Sequence, residues 1–581
     1  MASTLATSIA FIGAAMALEF SSCPELNSLI AAESAATNLS TFDCANLSVP
    51  LDYTNDASDP LELSLFRVPA TEEPVLGTVL VNFGGPGGTG AQNLPAFAEG
   101  LREIVGPQWN LVSWDPRGTG KTIPFQCTPP TGLTEPSTNT KRDLGDLVST
   151  NATRGFLDYG WDLAGEIAEA CAQQANETGT LIGTAFVARD VMEIVDALDD
   201  GNLLHYYGWS YGTALGSYIA AMFPDRVGRM VLDGNVNPHE YQSGTYLHAA
   251  DDIDKTWDGF LRTCFEAEDV CSLYSFVQPR SPEDLLTAIN AGIGLLATAA
   301  DTSLQAYVAY LAVKNVPVAP LYFPKQWPEL ADTITLLLNA SATSPAAANT
   351  TTTPTSNATT YDEAKNAVLG IRGSDATFHA NSSAEYLPIV QEEAQVSDSF
   401  GDSFYFSLWA SARWQMPAKE RYWGDFHETT KTPILYVNGE FDPVTPIVGA
   451  YNASAGFTDS VVLAHTGYGH GLLASSSRCA SKYVQQYFKD ATLPANGTTC
   501  EPDASLLEVW KAVVHASANG TTGGNATSTG SGNGTASGDS PDQPESSAPV
   551  QENSGLRLCH GAWSAIQASL APLVVVLLAI S

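Results

Sequence analysis

Between residues 76 and 235 the chain alternates short apolar runs with stretches of helical periodicity, an order that few folds can absorb. Thr78-Val79-Leu80-Val81, Leu111-Val112-Ser113-Trp114, Leu203-Leu204-His205-Tyr206-Tyr207 and Met230-Val231-Leu232 are apolar at successive positions, as strands buried on both faces are. Val187, Val191, Ile194, Val195 and Leu198 recur at helical spacing, so the segment they occupy should lay one face on that sheet. The pattern predicts an α/β fold with a mainly parallel sheet. The alternation stops near Tyr241, and residues 241–425 read as mostly helical, with helices expected over 257–265, 282–298, 327–339 and 386–395. A Ser/Thr/Ala/Asn-rich stretch at 340–360 interrupts them and reads as a glycosylated loop. Strand text returns at Pro433-Ile434-Leu435-Tyr436-Val437 and Val461-Val462-Leu463, which makes the helical block a lid inserted into one α/β domain.

Composition removes several function classes. The chain has 581 residues, 44% of them hydrophobic, enough for a large core. Against 63 Asp and Glu stand 26 Lys and Arg, a net charge of -37 that repels phosphate backbones, so nucleic acid is excluded as a partner.

Both ends read as targeting text. An apolar run from Leu5 to Met16 closes on Ala15-Met16-Ala17, the pattern of a signal peptide over 1–17. A Ser/Thr/Gly-rich stalk over 516–552 leads to Asn553-Ser554-Gly555, a short spacer and an apolar tail, the layout of a GPI-attachment signal over 553–581, preferred to a tail-anchored helix because Pro572 interrupts the tail and no basic residue follows it. A secreted protein, anchored to the membrane surface through that signal, is the expectation. Nine cysteines agree with an oxidising compartment, because Cys559 lies in the tail that processing would remove, leaving eight. Sequential pairing, Cys23 with Cys44, Cys127 with Cys171, Cys264 with Cys271 and Cys479 with Cys500, is the simplest arrangement, although spacing alone does not fix it. Thirteen Asn-X-Ser/Thr sequons fit the same secretory reading. The α/β core would then comprise 18–240 and 426–515, with the lid at 241–425.

The chemistry concentrates where strands end. Gly208-Trp209-Ser210-Tyr211-Gly212 follows one strand and opens a helix, the setting in which a G-x-S-x-G turn exposes a nucleophilic serine. A serine hydroxyl needs a base, and the base needs a carboxylate to hold its tautomer. After the lid, one strand runs into Asn438-Gly439-Glu440-Phe441-Asp442-Pro443 and the next into Gly467-Tyr468-Gly469-His470-Gly471. Ser210, Asp442 and His470 therefore stand in the order this fold uses, each beyond a strand terminus. Glu440 is the competing carboxylate, and Asp442 is preferred because it begins the turn.

Acyl transfer also requires donors for a developing oxyanion. The strand at 78–81 ends in Asn82-Phe83-Gly84-Gly85-Pro86-Gly87-Gly88-Thr89-Gly90, and the amides of Gly85 and Tyr211 are assigned to the hole. A phosphate loop is excluded because no Gly-Lys-Ser/Thr follows, and Gly118-Thr119-Gly120-Lys121-Thr122 lacks the first glycine of a Walker sequence, Asp115 standing in its place. Asp115 and Arg117 read as braces of their loop. No metal and no organic cofactor is called for.

These motifs, together with Trp114-Asp115-Pro116-Arg117-Gly118-Thr119-Gly120 and Asn438 to Pro446, resemble the tripeptidyl-aminopeptidase-like α/β-hydrolases, relatives of proline iminopeptidase. Val49-Pro50-Leu51-Asp52-Tyr53 resembles that family's first strand, and the segment from Pro433 to about Asp503 resembles its C-terminal domain. Phe83 departs from the pattern, since proline is usual there. The resemblance implies an exopeptidase that releases short peptides or residues from substrate N-termini, with lid carboxylates pairing with the substrate ammonium. Glu240, Asp251 and Asp252 are nominated for that role by position only. Two other readings stay open: a carboxylesterase or lactonase with the same triad, and a non-catalytic hydrolase-like protein used for binding at the cell surface.

Overall fold

Ten strands form a single sheet, among the residues that the computed structural model describes: 18–24, 42–128, 151–198, 201–300, 310–311, 313–343, 363–401 and 410–520. The expectations for 1–17, for most of the 340–360 loop and for everything after 520 fall outside them.

In chain order the strands are β1 (Ser21–Ser22), β2 (Asp43–Pro50), β3 (Pro60–Val68), β4 (Gly77–Asn82), β5 (Trp109–Trp114), β6 (Leu204–Trp209), β7 (Val227–Asp233), β8 (Leu435–Phe441), β9 (Val461–Tyr468) and β10 (Thr499–Cys500). Their spatial order is β1-β2-β3-β5-β4-β6-β7-β8-β9-β10. β1, β2 and β3 enter antiparallel, and every pair from β5 to β10 is parallel. This is the α/β-hydrolase fold, with the chain crossing over between β3, β4 and β5.

The crossovers and lid supply α1 (Gly90–Val105), α2 (Asn151–Gly179), α3 (Thr184–Leu198), α4 (Tyr211–Met222), α5 (Pro238–Ser243), α6 (Ile253–Ala267), α7 (Pro282–Ala300), α8 (Trp327–Thr343), α9 (Glu363–Asp375) and α10 (Ser383–Val396). α11 (Ile447–Ala455), α12 (Arg478–Asp490) and α13 (Leu506–Gly520) follow the lid. Shorter turns join them.

Neighbouring residues on the central strands point to opposite faces and enter different cores. Tyr206, Leu232 and Tyr436 pack with Val191 of α3 and Leu215 of α4, whereas Tyr207, Val231 and Leu435 pack with Leu101 of α1 and Phe488 of α12. Both faces being covered explains why these strands read as continuous apolar runs. The lid has its own core, in which Trp257, Phe260, Trp327 and Leu330 surround Trp510 of α13. The last helix thus rests on the lid, although 426–515 was assigned to the α/β core. With Trp510 anchored there, α13 runs on to Gly520, so residues 516–520 are helix where the start of a stalk was expected. Likewise α8 continues through residues 340–343, the expected start of a loop.

Two kinds of bond pin the edges. The disulfides are Cys23–Cys44, Cys127–Cys171, Cys264–Cys271 and Cys479–Cys500, the sequential set. Arg117 is wholly buried, donating to both oxygens of Asp190 on α3 (2.6 and 2.8 Å) and to the carbonyls of Pro50 and Leu51 at the end of β2. Breaking such a pair by removing one partner costs about 3–5 kcal/mol, far more than a surface pair, so this arginine ties loop, helix and strand together. Asp115 accepts from the Ala91 N–H at 3.2 Å and braces the start of α1.

His465 lies fully buried on β9, accepts from the Gly467 N–H through Nδ1, and burial pushes its pKa down to about 4. Below pH 6.5 the unfolded chain takes up a proton that the folded chain refuses, so acidification favours unfolding until about pH 4. Wild type should therefore lose about 3 kcal/mol relative to His465→Asn between pH 7 and 4. Buried Asp233 and Asp375, whose carboxyls desolvation pushes up to about 6, titrate in both proteins and cancel. Denaturant titrations of both proteins across that range check this, and a constant difference would contradict it.

Candidate active site

At the end of β6 the chain must reverse sharply into α4. Ser210, the N-cap of α4, has φ 61° and ψ -127°, a conformation that costs an L-residue about 1–3 kcal/mol and lifts its side chain away from the sheet. The turn closes only because glycines stand around it. A Cβ on Gly212 would collide with the Asn82 carbonyl, and one on Gly84 (φ 85°) would lie 2.6 Å from Trp209 O and 2.8 Å from Ser210 Cβ. The Gly-rich loop after β4 is thereby pressed against the serine.

The base arrives on the loop after β9. His470 Nδ1 lies 2.9 Å from Asp442 Oδ2 and 3.2 Å from Oδ1, with both residues fully buried. Asp442 in turn accepts from the backbone N–H groups of Val444 (3.1 Å), Thr445 (2.9 Å) and Gly471 (3.2 Å), and from the Thr445 hydroxyl (2.8 Å). A carboxylate so satisfied cannot swing away, which fixes the histidine with its proton on Nδ1. Asp442, not Glu440, meets the imidazole. His470 is also gripped from above and below: its N–H donates to Tyr322 O of the lid (2.9 Å), its carbonyl accepts from Trp209 Nε1 (3.2 Å), and the Tyr322 and Trp209 rings lie 5.0 and 5.1 Å from the imidazole.

His470 Nε2 is left buried and without a hydrogen-bond partner, and His470 and Ser210 line one cavity. A buried nitrogen without a partner and a strained serine on one cavity are what a nucleophile and its base would present before substrate binds. Gly85 and Tyr211 line the same cavity. Tyr211 occupies the first position of α4, so its N–H lies outside the helical ladder, and neither this amide nor that of Gly85 donates to another group among the described residues. The structure therefore brings Ser210, His470, Asp442, Gly85 and Tyr211 to one place. Such a set can attack a carbonyl, hold the resulting oxyanion and return a proton. Phe83 joins the wall, stacked on Phe97 at 5.8 Å.

The far wall comes from the lid. Of the three nominated acids only Glu240 faces the cavity, held by His248 Nδ1 at 2.5 Å and Asn237 Nδ2 at 3.1 Å. Asp252 instead pairs with Lys255 and accepts from the Ile447 N–H, and Asp251 does not line the cavity. Sequence reasoning missed Glu393 of α10. It is buried, its Oε2 has no partner, and burial together with the Glu240 charge pushes its carboxyl well above the usual range. Its signal was present: Tyr386, Val390 and Glu393 share the buried face of α10, an acid where the period demands an apolar residue. Arg372 and Tyr246 also line the cavity and were not foreseen.

Residues 396–500 match the protein family described as TAP-like protein. The chain is 26% identical over 482 residues to serine protease Hip1 of Mycobacterium tuberculosis, spanning 79% of this chain and 87% of that protein. It is equally similar, 26% over 486 residues, to a tripeptidyl aminopeptidase of Streptomyces lividans, spanning 80% and 84%. Carboxylesterase B of Mycobacterium tuberculosis is 24% identical over 485 residues, spanning 80% and 88%. Fold and similarity together define a serine hydrolase. Within that class the chain carries a TAP-like domain, and the resemblance to the tripeptidyl-aminopeptidase-like α/β-hydrolases extends over most of its length.

Asp442→Asn should lower kcat by about 10³–10⁴-fold in a protein that still unfolds cooperatively, because the amide favours the wrong imidazole tautomer. Glu440→Gln, which leaves the His470 contacts untouched, should stay within about twofold of wild type. Steady-state kinetics on an activated ester check both, and the reverse ranking would contradict the assignment of the acid.

Proposed function

We propose that the protein is a serine exopeptidase that removes short fragments from peptide N-termini. The observation that carries this reading is a pair of acids facing the cavity, the buried Glu393 of the lid and Glu240 just before the lid begins. Glu393 Oε2 is buried without a hydrogen-bond partner, and a ligand ammonium between the two carboxylates would satisfy it. A peptide seated by its free N-terminus then presents a carbonyl only a few residues along to Ser210, which limits the length released.

In the reaction, Ser210 Oγ attacks the scissile carbonyl carbon and its proton passes to His470 Nε2. The carbonyl electron pair moves onto oxygen, held by the Gly85 and Tyr211 amides. Collapse breaks the C–N bond, His470 protonates the departing amine, and a water activated by the same imidazole hydrolyses the acyl-enzyme. Asp442 stabilises the imidazolium at each stage. No step needs a metal or cofactor. The leader, sequons and anchor signal in the sequence support a site of action outside the cell, at the membrane surface. Similarity to a carboxylesterase supports a second reading, ester hydrolysis by the same triad.

Peptidyl-aminocoumarins with free and acetylated N-termini separate these readings when assayed beside a short p-nitrophenyl ester. The free N-terminus should be preferred by at least about 100-fold in kcat/KM, the worth of a buried ion pair of roughly 3 kcal/mol. Glu393→Gln should erase most of that preference by raising KM. Because burial and the Glu240 charge raise the Glu393 pKa while an ammonium favours the ionised form, kcat/KM for free N-termini should rise with pH as Glu393 ionises, and this limb should vanish in Glu393→Gln. Ester turnover without peptide cleavage would contradict the exopeptidase reading. Inertness to every substrate and to a fluorophosphonate would indicate a binding protein.

A further inference from the structure

The last turn of the lid helix α9 carries two polar side chains one turn apart, Arg372 and Asp375, and each reaches a different half of the oxyanion hole. Arg372 Nη2 donates to the Gly85 carbonyl at 3.1 Å, and its guanidinium lies over the Tyr246 ring at 4.9 Å. Gly85 has φ 108° and no side chain to hold it, so an anchor on its carbonyl holds the following peptide plane, which is joined through one Cα to the plane that carries the Gly85 N–H.

Asp375 works through a buried relay. Its Oδ1 accepts from the Thr184 N–H (2.9 Å), and its Oδ2 accepts from the Thr184 hydroxyl (2.5 Å) and from Tyr241 OH (2.8 Å). Thr184 Oγ1 also lies 2.7 Å from Tyr211 OH. The threonine has one hydroxyl proton and gives it to Asp375, so the Tyr211 phenol must be the donor in the Thr184–Tyr211 bond. Tyr211 is consequently fixed at both ends, by the chain at Ser210 and by its phenol through Thr184 to the lid.

We propose that α9 positions the oxyanion hole, Arg372 setting Gly85 and Asp375 setting Tyr211, so that the catalytic power of the α/β core depends on the seat of its lid. This rests on the hole assigned under the proposed function. Neither side chain needs to touch the reacting atoms; both are positioning residues. Removing one oxyanion donor costs about 10²–10³ in kcat, and misaiming one should cost less.

The test uses the full chain with Arg372→Met, Asp375→Asn and Tyr211→Phe, the last cutting the relay at its far end without altering the lid. For each variant we expect kcat on a free N-terminal peptidyl-aminocoumarin to fall about 10- to 100-fold while KM stays within about threefold. A purely structural role would not alter one further reading. A peptide aldehyde, on which Ser210 adds to form a tetrahedral oxyanion, should lose affinity by the same factor as kcat/KM, whereas the matching peptide alcohol should bind as before. Should Asp375→Asn fail to fold, Tyr211→Phe and Arg372→Met carry the test. An undiminished kcat overturns the proposal. So does a raised KM at constant kcat, which would make Arg372 a substrate contact, or a fall in kcat that leaves aldehyde affinity unchanged. Fluorophosphonate labelling of wild type separates the two levels: unlabelled Ser210 removes the hydrolase site and this proposal with it, whereas labelled wild type beside fully active variants removes the proposal alone.

Discussion

A serine held at φ 61° between a strand and a helix is unstable by about 1–3 kcal/mol against an ordinary turn, and only the packing around it keeps it there. β6 is paired on both sides by β4 and β7, α4 is buried against the sheet, and the Gly84 and Gly212 backbones close in where no side chain would fit. The same crowding determines the rest of the site. It presses the oxyanion loop onto the nucleophile, sets Tyr211 at the open start of a helix, and puts Trp209 against the imidazole of His470. Each of these loops leaves the end of a paired strand, which holds the geometry in place.

On this frame the two parts of the chain divide the work. The α/β core places Ser210, His470, Asp442 and the Gly85 and Tyr211 amides at the carboxyl ends of parallel strands. The lid lines the same cavity with Glu393 and also reaches down onto the core through Tyr322 over His470 and through α9 at Gly85 and Thr184. A site built from both parts is incomplete in either alone.

The core was legible because its chemistry is tied to strand ends. Apolar runs such as Leu111 to Trp114 fall within β5, and Ser210, Asp442 and His470 follow β6, β8 and β9. Helices with an apolar stripe were also visible, although α6 begins at Ile253, four residues before the expected start, since helix ends depend on capping more than on period. Of the acids and cation facing the cavity from beyond the core strands, only Glu240 was nominated. Glu393 and Arg372 lie on helices separated by sequence and joined only by packing, and in a chain with 63 acidic residues the type of Glu393 says nothing by itself. The α9 segment, Glu-Ala-Lys-Asn-Ala-Val-Leu-Gly, has too few apolar positions to announce a helix, and tertiary burial of Ala367, Val368 and Ile371 makes it one.

The central claim is that Ser210 carries the N-terminal fragment of a peptide as an ester during turnover. Rapid acid quench of enzyme with an unlabelled peptide of about ten residues, followed by intact mass measurement and proteolytic mapping, tests it directly. The account predicts a mass increase equal to a short N-terminal fragment less water, located on Ser210 and absent when the peptide is N-acetylated. An adduct on another residue, an adduct of a long internal fragment, or turnover with no adduct in Ser210→Ala and wild type alike would contradict it.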